Sequence, residues 1–404
     1  MLWNKFPHIS RMKKCLIVFV FFASWQLHLT NASELKLRQS KLKGLLVQPL
    51  SNGNFAGKAS QMNATATPLD KRDNPINIRF NQRVGKAMDS ALKEVTKYLR
   101  VKHDTWPSGY DIEIAFEDRF TAKDGPSAAI CCALLLDSLV TGQTIDPFFA
   151  VTGDMNADGS VQPVGGVPAK VRGAFSKSCK YVAIPAKNAR SLSDLVLLNG
   201  INTVSRIQVF TIDDFDEAAK IAFTDKDQDI KTSIEEFHKI QSAIFRHKTG
   251  VLRNAKVQKK LREILELAPN HLSAKLALQV ATGRAPKTLS LQGSLEKTEN
   301  SASTLLQAAR SSSDPSDALA TDDLAKAISE LKRIRLKLDK RVWSYADSIQ
   351  DFGKLVREFK TSPPRGNSSK RKKLTEIQIA AEKIEKEVMK IRNSKEIMEE
   401  LIQD

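Results

Sequence analysis

The spacing of hydrophobic residues divides the chain into two parts. From residue 44 to residue 224, short alternating runs mix with segments of helical spacing. Residues 76–80 and 110–114 alternate apolar and polar side chains, as half-buried strands do. Residues 84–99 instead place their apolar side chains three or four positions apart, as an amphipathic helix does. This mixture predicts a compact α/β or α+β domain.

Continuous apolar runs complete the prediction for this first part. Residues 128–140 are almost entirely apolar and end at Gly142, which predicts a buried helix with a glycine stop. Further short strands are predicted at residues 44–47, 148–151, 181–184 and 207–212, with helices beginning near Pro168, Arg190 and Asp213.

Beyond Phe223 the strand patterns give way to helical ones. Residues 256–278 predict two helices around Pro269 and Asn270, with a weak similarity to one tetratricopeptide unit. Residues 290–316 are rich in Ser, Thr and Ala, which predicts a flexible connector.

Two heptad runs follow, over residues 324–359 and 377–402, with a proline-containing breaker at residues 362–367 between them. They predict an antiparallel helical hairpin or coiled coil. Arg335 and Lys395 fall on its seam and are expected to weaken it or to set its register. Such an element serves either as a stalk or oligomerisation arm, or as an arm that holds a partner or substrate.

The N-terminus has the pattern of an export signal. Lys13 and Lys14 precede an apolar run at residues 15–27, and Ala32 offers a small residue for cleavage. The run is short for a membrane span, so we expect a periplasmic or extracellular protein. An uncleaved membrane anchor is the alternative. The predicted units are therefore a signal peptide (1–32), a lead-in (33–43), the mixed domain (44–224), a helical region (225–289), a linker (290–320) and the hairpin (321–404).

Composition adds a constraint on partners. The 404 residues carry a net charge of +17, which favours acidic partners such as nucleic acid, anionic lipid or an envelope polymer, although a solvated basic surface explains it equally well. With Cys15 in the signal, the three remaining cysteines show no disulfide framework and are expected to be buried thiols. The six histidines have no paired-ligand spacing, so no metal is predicted.

Two short segments carry candidate chemistry. In residues 123–129 (KDGPSAA), Pro126 suits the first position of a helix and sets Ser127 in the first turn, where free N–H groups stabilise an oxyanion. In residues 165–170 (GGVPAK), a second glycine turn and proline set Lys170 in a first turn. The helix dipole and burial both disfavour a cation there, which favours the neutral amine that a general base requires.

Together these segments resemble the proteolytic domain of the Lon protease family, whose signatures are PKDGPSAG and GGxxxK. Ser127 and Lys170 stand 43 residues apart (170 − 127), which agrees with the family's spacing. In order along the chain, residues 151–154, 161–164 and 181–188 also resemble family segments, so that the resemblance covers residues 44–224.

The resemblance implies an α+β fold and a serine endopeptidase with a Ser–Lys dyad and no third acid. Ser127 would be the nucleophile and Lys170 its base, with Thr152 touching the lysine. Backbone N–H groups around Asp124 and Ser127 would form the oxyanion hole, with Gly125 as a supporting residue. It also implies protein or peptide substrates and assembly as a hexameric ring.

The sequence departs from the family in several places. Ala129 replaces a glycine, Asp154 replaces a glutamate, and residues 110–114 replace a histidine-rich strand. Lon enzymes usually carry an ATPase, but residues 53–59 have one residue too few between their glycines for a phosphate loop, and Ala59 replaces its Ser or Thr. No ATP or other cofactor is therefore expected.

Three functions are compatible with these observations. The first is an exported, ATP-independent serine endopeptidase that cleaves unstructured segments. The second is a Lon-fold binding or scaffold protein with weak catalysis that acts through its basic helical C-terminal arm. The third is a basic scaffold for nucleic acid or an envelope polymer. The intact dyad favours the first, whereas the altered strand at Asp111 and Glu113 favours the second.

Overall fold

The structure, a computed structural model, describes residues 36–49, 55–70, 75–104, 106–118, 124–310 and 319–403. The predicted signal peptide and Lys123 lie outside these residues. Within them, none of the helices combines the length and the apolar character that crossing a membrane requires.

A mixed sheet forms the centre of the molecule. The described strands are β1 (Arg38–Pro49), β2 (Phe55–Pro68), β3 (Asn77–Phe80), β4 (Tyr110–Phe116), β5 (Phe149–Val151), β6 (Asp154–Met155), β7 (Val161–Gln162), β8 (Tyr181–Pro185) and β9 (Gln208–Ile212). Seven of them form one sheet in the order β3-β4-β2-β1-β5-β8-β9. The β1/β2 and β2/β4 pairs are antiparallel, and the other pairs in this sheet are parallel. β6 and β7 form a separate hairpin.

Helices cover both faces of this sheet. In chain order they are α1 (Lys86–Lys102), α2 (Ala129–Thr141), α3 (Val167–Ser176), α4 (Ala189–Asn199), α5 (Asn202–Ser205), α6 (Phe215–Ala222), α7 (Gln228–His247), α8 (Ala255–Leu267) and α9 (Leu272–Ala281). The pleat sends neighbouring strand residues to opposite faces. Thus Phe210 joins the core beneath α1, α2 and α6, whereas Val209 joins the core beneath α3, α4 and α7 to α9. The α+β fold class and the mostly helical C-terminal part agree with the sequence prediction.

The predicted lead-in at residues 33–43 is wrong from Arg38 onward, because β1 begins there and Leu42 is already buried in the core. Strand β2 was not predicted. Its buried apolar side chains are Ala59, Met62, Ala64 and Ala66, and three of these are alanines, which are depleted in strands and so give a weak strand signal.

The helical region at residues 225–289 packs directly on the sheet. Asn270 pairs with the edge of β9. Its backbone carbonyl accepts the Thr211 N–H at 2.9 Å, and its side-chain amide donates to the Thr211 carbonyl at 3.0 Å. Phe237 in α7 is buried in the same core as Val209. The boundary at residue 224 stays a prediction, because the helices beyond it share a core with the sheet.

The flexible connector predicted at residues 290–320 is wrong over much of its length. Two helices occupy it, α10 (Leu291–Ser301) and α11 (Ser303–Arg310). Leu291 and Leu305 are fully buried against the helices that follow. Tertiary packing therefore orders a segment whose composition alone favours disorder.

The C-terminal helices form a bundle. They are α12 (Thr321–Ile334), α13 (Trp343–Thr361), α14 (Asn367–Asn393) and α15 (Lys395–Gln403), and they share one core with α10 and α11. The first heptad run is not one helix, because 3₁₀ turns interrupt it on both sides of the buried Leu338. α13 and α14 pack together, as the hairpin prediction requires.

The bundle is attached to the sheet-containing part through α4. The buried Asp194 accepts hydrogen bonds from the backbone N–H of Ser290 at 2.9 Å and from its hydroxyl at 2.6 Å. Leu197 and Leu198 pack against the bundle core. The C-terminal helices are therefore docked on the body and do not project from it as an arm.

Candidate active site

Helix α3 places Lys170 inside the protein. Gly166 adopts a φ of +70°, which favours glycine, and turns the chain into the helix just before Pro168. Lys170 is only 2% exposed. Its ammonium donates one described hydrogen bond, to Thr152 Oγ1 at 3.1 Å. Among the described residues, one hydroxyl is thus the hydrogen-bond partner of this buried ammonium, and such burial favours the neutral amine.

Burial lowers the pKa of Lys170 to about 8. An ordinary lysine has a pKa near 10.4 and holds its proton almost completely at neutral pH. With a pKa near 8, roughly a tenth of the molecules carry a neutral lysine at pH 7. Lys170 therefore has the proton affinity that a general base needs near neutral pH.

A glycine contact fixes the helix that carries Lys170. A Cβ atom placed on Gly57 of β2 would fall 1.7 Å from the carbonyl oxygen of Ala169 and 2.8 Å from the backbone nitrogen of Lys170. A Cβ on Gly173, one turn further along α3, would in turn meet the backbone of Gly57 at 2.4 Å. Only glycine at both positions permits this approach of helix to strand. In the sequence, Gly57 is only the second glycine of the mismatched phosphate-loop segment, and nothing there indicates this packing role.

Ser127 lies on the opposite side of Thr152. It occupies a 3₁₀ turn, Pro126–Ala128, that leads into α2, and its surface is half-buried. Gly125 precedes the turn with a φ of +131°, a conformation that only glycine adopts without strain. The Ser127 carbonyl accepts a hydrogen bond from the Thr152 hydroxyl at 3.1 Å and another from the Gly153 N–H at 3.0 Å.

Thr152 consequently links the two predicted catalytic residues. It follows β5 directly and is fully buried. Its hydroxyl oxygen accepts from Lys170, and its hydroxyl proton goes to the Ser127 carbonyl. The structure thus brings together Ser127, Thr152 and Lys170, which come from three separate segments of the chain.

The remaining predicted site residue, Asp124, is exposed and faces the start of α1. A Cβ on Gly85, the residue before that helix, would fall 2.0 Å from the Asp124 carboxylate. A carboxylate at a helix N-terminus is stabilised by the helix dipole. Asp124 therefore lies beside the start of α1, whereas the low pKa of Lys170 has burial as its cause.

Two neighbouring residues complete the surroundings. Asn188 is buried, and its Oδ1 accepts the backbone N–H of Val164 at 2.9 Å, which holds the segment entering Gly165 and Gly166. Asp154 begins the β6–β7 hairpin, and burial raises its pKa. Residues 154–159 form β6 and the turn of this hairpin, with Gly159 at a φ of +87°. Among the described residues, no three His, Cys, Asp or Glu side chains are placed to hold a metal ion.

Comparisons with known proteins match the same region of the chain. Residues 80–225 match the model of the Lon protease (S16) C-terminal proteolytic domain. The chain is 31% identical over 147 residues to Lon protease 1 of Thermus thermophilus, which covers 35% of this chain and 18% of that protein. It is 40% identical over 85 residues to Lon protease of Methanosarcina barkeri, which covers 21% of this chain and 11% of that protein.

A third relative, Lon protease of Lawsonia intracellularis, is 27% identical over 155 residues, which covers 37% of this chain and 18% of that protein. The chain thus spans less than a fifth of the length of these curated relatives. The match includes Ser127, Thr152 and Lys170, since all three fall between residues 80 and 225. Residues 80–225 are therefore similar to the proteolytic domain of the Lon protease family.

Proposed function

We propose that the protein is a serine endopeptidase in which Ser127 is the nucleophile and Lys170 the general base. The observation that carries this proposal is the buried Lys170 amine, whose pKa is lowered to about 8 and whose partner Thr152 donates to the backbone carbonyl of Ser127. The family match to a proteolytic domain supports the same reaction class.

The proposed reaction moves one proton back and forth. Neutral Lys170 accepts the hydroxyl proton of Ser127 while the serine oxygen bonds to the carbonyl carbon of the substrate. Backbone N–H groups of the serine turn stabilise the oxyanion. The Lys170 ammonium then gives its proton to the departing amine, which leaves an acyl-enzyme. Water hydrolyses this ester with Lys170 again as the base. Thr152 orients the lysine throughout, because its hydroxyl is held by the Ser127 carbonyl.

The wider setting of this activity is also a proposal. Export rests on the N-terminal pattern of residues 1–32. ATP-independence rests on residues 53–59, whose glycine spacing does not match a phosphate loop. The described residues of this segment lie in strand β2 and not in a loop before a helix. Without a motor to unfold them, substrates would be segments that are already unstructured. Assembly as a hexamer rests on the family resemblance, and light scattering of the mature chain measures it.

The catalytic test uses Ser127→Ala and Lys170→Ala in the mature chain, with an unstructured protein such as casein as substrate. Each change should lower kcat/KM by about 10⁴-fold or more, because the pair acts as a unit. In the unaltered enzyme, kcat/KM should rise with pH and level off above a midpoint near 8, since only the neutral amine accepts a proton. Unchanged turnover in either variant would exclude the mechanism.

The binding-protein alternative depends on the altered strand β4. Its Asp111 and Glu113 side chains each form an ion pair with Arg79 of β3 at 2.7 Å. These carboxylates therefore have a structural partner on the neighbouring strand, which weakens the argument for a lost active site. A serine-reactive phosphonate separates the two functions: labelling of Ser127 supports the enzyme, and no labelling supports the binding protein.

A further inference from the structure

A cleft of about 690 Å³ lies at the end of the sheet where β1 begins. The first half of β1, the loop at residues 142–147 and the end of α2 line it. It is distinct from the catalytic region. Val47, near the other end of β1, contacts Gly166 at the start of the lysine helix. Four residue steps of β1, roughly 13 Å, separate Val47 from Lys43, the cleft-lining residue of this strand that lies nearest to it.

The cleft contains an open sheet edge. β1 pairs with β2 along its whole length, but it pairs with β5 only at Lys43 and Gly44. Among the described strands, none pairs with the β5-facing edge of residues 38–42. Alternate residues of this stretch direct their backbone N–H and C=O groups toward the cleft. Such an edge binds an extended peptide by strand addition.

The charge of the cleft selects among peptides. Its cationic lining residues are Arg38, Lys41 and Lys43. Its acidic lining residue, Asp146, accepts a hydrogen bond from Lys226 at 2.9 Å and one from the Tyr181 hydroxyl. Because that carboxylate is already neutralised, the cleft presents an excess of positive charge to a ligand.

The described hydrogen-bond partners of Arg38 and Lys43 are neutral carbonyl groups, which do not cancel the positive charge. Arg38 donates to the Leu139 carbonyl at 3.1 Å, in the last turn of α2, where the Gly142 N–H also donates to the Ser138 carbonyl at 2.9 Å. Lys43 donates to the Pro147 carbonyl at 3.0 Å, which holds its ammonium at the cleft wall. Lys41 is exposed.

We propose that this cleft binds acidic, extended polypeptide segments by strand addition to β1 and so recruits them to the protease. The recruiting role rests on the proposed endopeptidase function, whereas the binding itself does not. A peptide suits the open edge better than a nucleic acid does, because only a peptide backbone pairs with the free N–H and C=O groups. The chain's own first 35 residues carry the wrong charge for the cleft, since their charged residues are Lys5, Arg11, Lys13, Lys14 and Glu34.

The test measures binding of a fluorescent, Glu-rich extended peptide to the Ser127→Ala protein, so that cleavage does not interfere. The double change Lys41→Glu with Lys43→Glu should weaken binding about tenfold or more, because two attractive charges become repulsive. The matched control is Lys256→Glu with Lys275→Glu, two exposed lysines of α8 and α9, which should change the affinity less than about twofold. The milder Lys41→Gln gives a second reading, and thermal unfolding verifies that each variant folds.

Two altered ligands sharpen the result. A peptide with Gln in place of Glu should bind more weakly to the unaltered cleft and should lose its sensitivity to Lys41→Gln. A Glu-rich peptide with alternate N-methylated backbone amides should also bind more weakly, because it lacks half of its ladder donors.

Equal affinity of the cleft and control variants for the Glu-rich peptide would overturn the proposal. So would undiminished binding of the N-methylated peptide, or tighter binding of a single-stranded oligonucleotide than of the acidic peptide. Failure of Ser127 to react with a phosphonate would remove the protease function and leave this binding result standing.

Discussion

The two halves of the candidate site are held in place in very different ways. Lys170 is enclosed: it is 2% exposed, and its helix is pressed on β2 through a glycine–glycine contact. Ser127 lies on a half-buried 3₁₀ turn, and hydrogen bonds to its backbone carbonyl hold it there. The position of Lys170 therefore depends on packing and burial, and that of Ser127 depends on backbone conformation. Substitutions in the two halves should fail for different physical reasons.

The largest effect is expected where packing is closest. In Gly57→Ala, the new methyl group would overlap the Ala169 carbonyl, so the strand and helix must separate. We expect a loss of about 3 kcal/mol or more in the free energy of unfolding, together with loss of activity. Urea denaturation measures the first quantity. The matched control is Gly165→Ala, where nothing lies within 4 Å of the new atom, and equal losses in both would refute the packing argument.

Lys170→Met is expected to raise the free energy of unfolding at pH 7, whereas Gly57→Ala lowers it. The folded pKa of Lys170, about 8, lies below its unfolded value of 10.5, so the unfolded state binds more protons between these pH values. Stability of the unaltered protein should rise as pH increases from 8 to 10.5. Below pH 8 the buried charge costs up to about 3 kcal/mol, which methionine avoids.

We therefore expect Lys170→Met to be inactive yet more stable at pH 7, and to lose the alkaline rise in stability. Denaturation at pH 7 and at pH 10 tests this. A variant that is less stable at pH 7 would show that the ammonium has favourable partners that outweigh its burial.

The bridge between the two halves should give an intermediate effect. Thr152→Val keeps the shape of the side chain but removes the hydroxyl that binds Lys170 and the Ser127 carbonyl. We expect kcat/KM to fall about tenfold to a hundredfold, or about 1.4–2.7 kcal/mol in transition-state stabilisation. Thr152→Ser retains the hydroxyl and should keep most of the activity. Equal activity of the Val and Ser variants would remove Thr152 from the mechanism.

The smallest effect is expected at the serine turn. In Gly125→Ala, nothing lies within 4 Å of the new Cβ, but the backbone has a φ of +131°. The cost is backbone strain alone, about 1–2 kcal/mol in the free energy of unfolding. Gly142→Ala, at a φ of +76° with equal space around it, should cost less, because the left-handed helical region is less strained. The reverse order would show that the turn relaxes.

The predictions from sequence succeeded where a local signal was strong. The apolar run at residues 128–140 and its Gly142 stop became α2, and the two glycine-proline segments lie at either side of Thr152. They failed where partners distant in sequence decide the structure. The Gly57–Gly173 contact joins residues 116 positions apart (173 − 57), and no local sequence pattern indicates it. The seam residue Arg335 was expected to weaken the hairpin or to set its register, and the sequence did not indicate that Asp347 binds its guanidinium twice at 2.7 Å.

The contact between Asp194 and Ser290 decides how the protein can be divided. A fragment that stops at residue 289 would deprive a buried carboxylate of two donors and would uncover Leu197 and Leu198 to water. Such a fragment gains an apolar surface of the kind that promotes association. The chain from residue 290 onward thus covers one wall of the sheet-containing part, and studies of that part alone would need the wall redesigned with polar side chains.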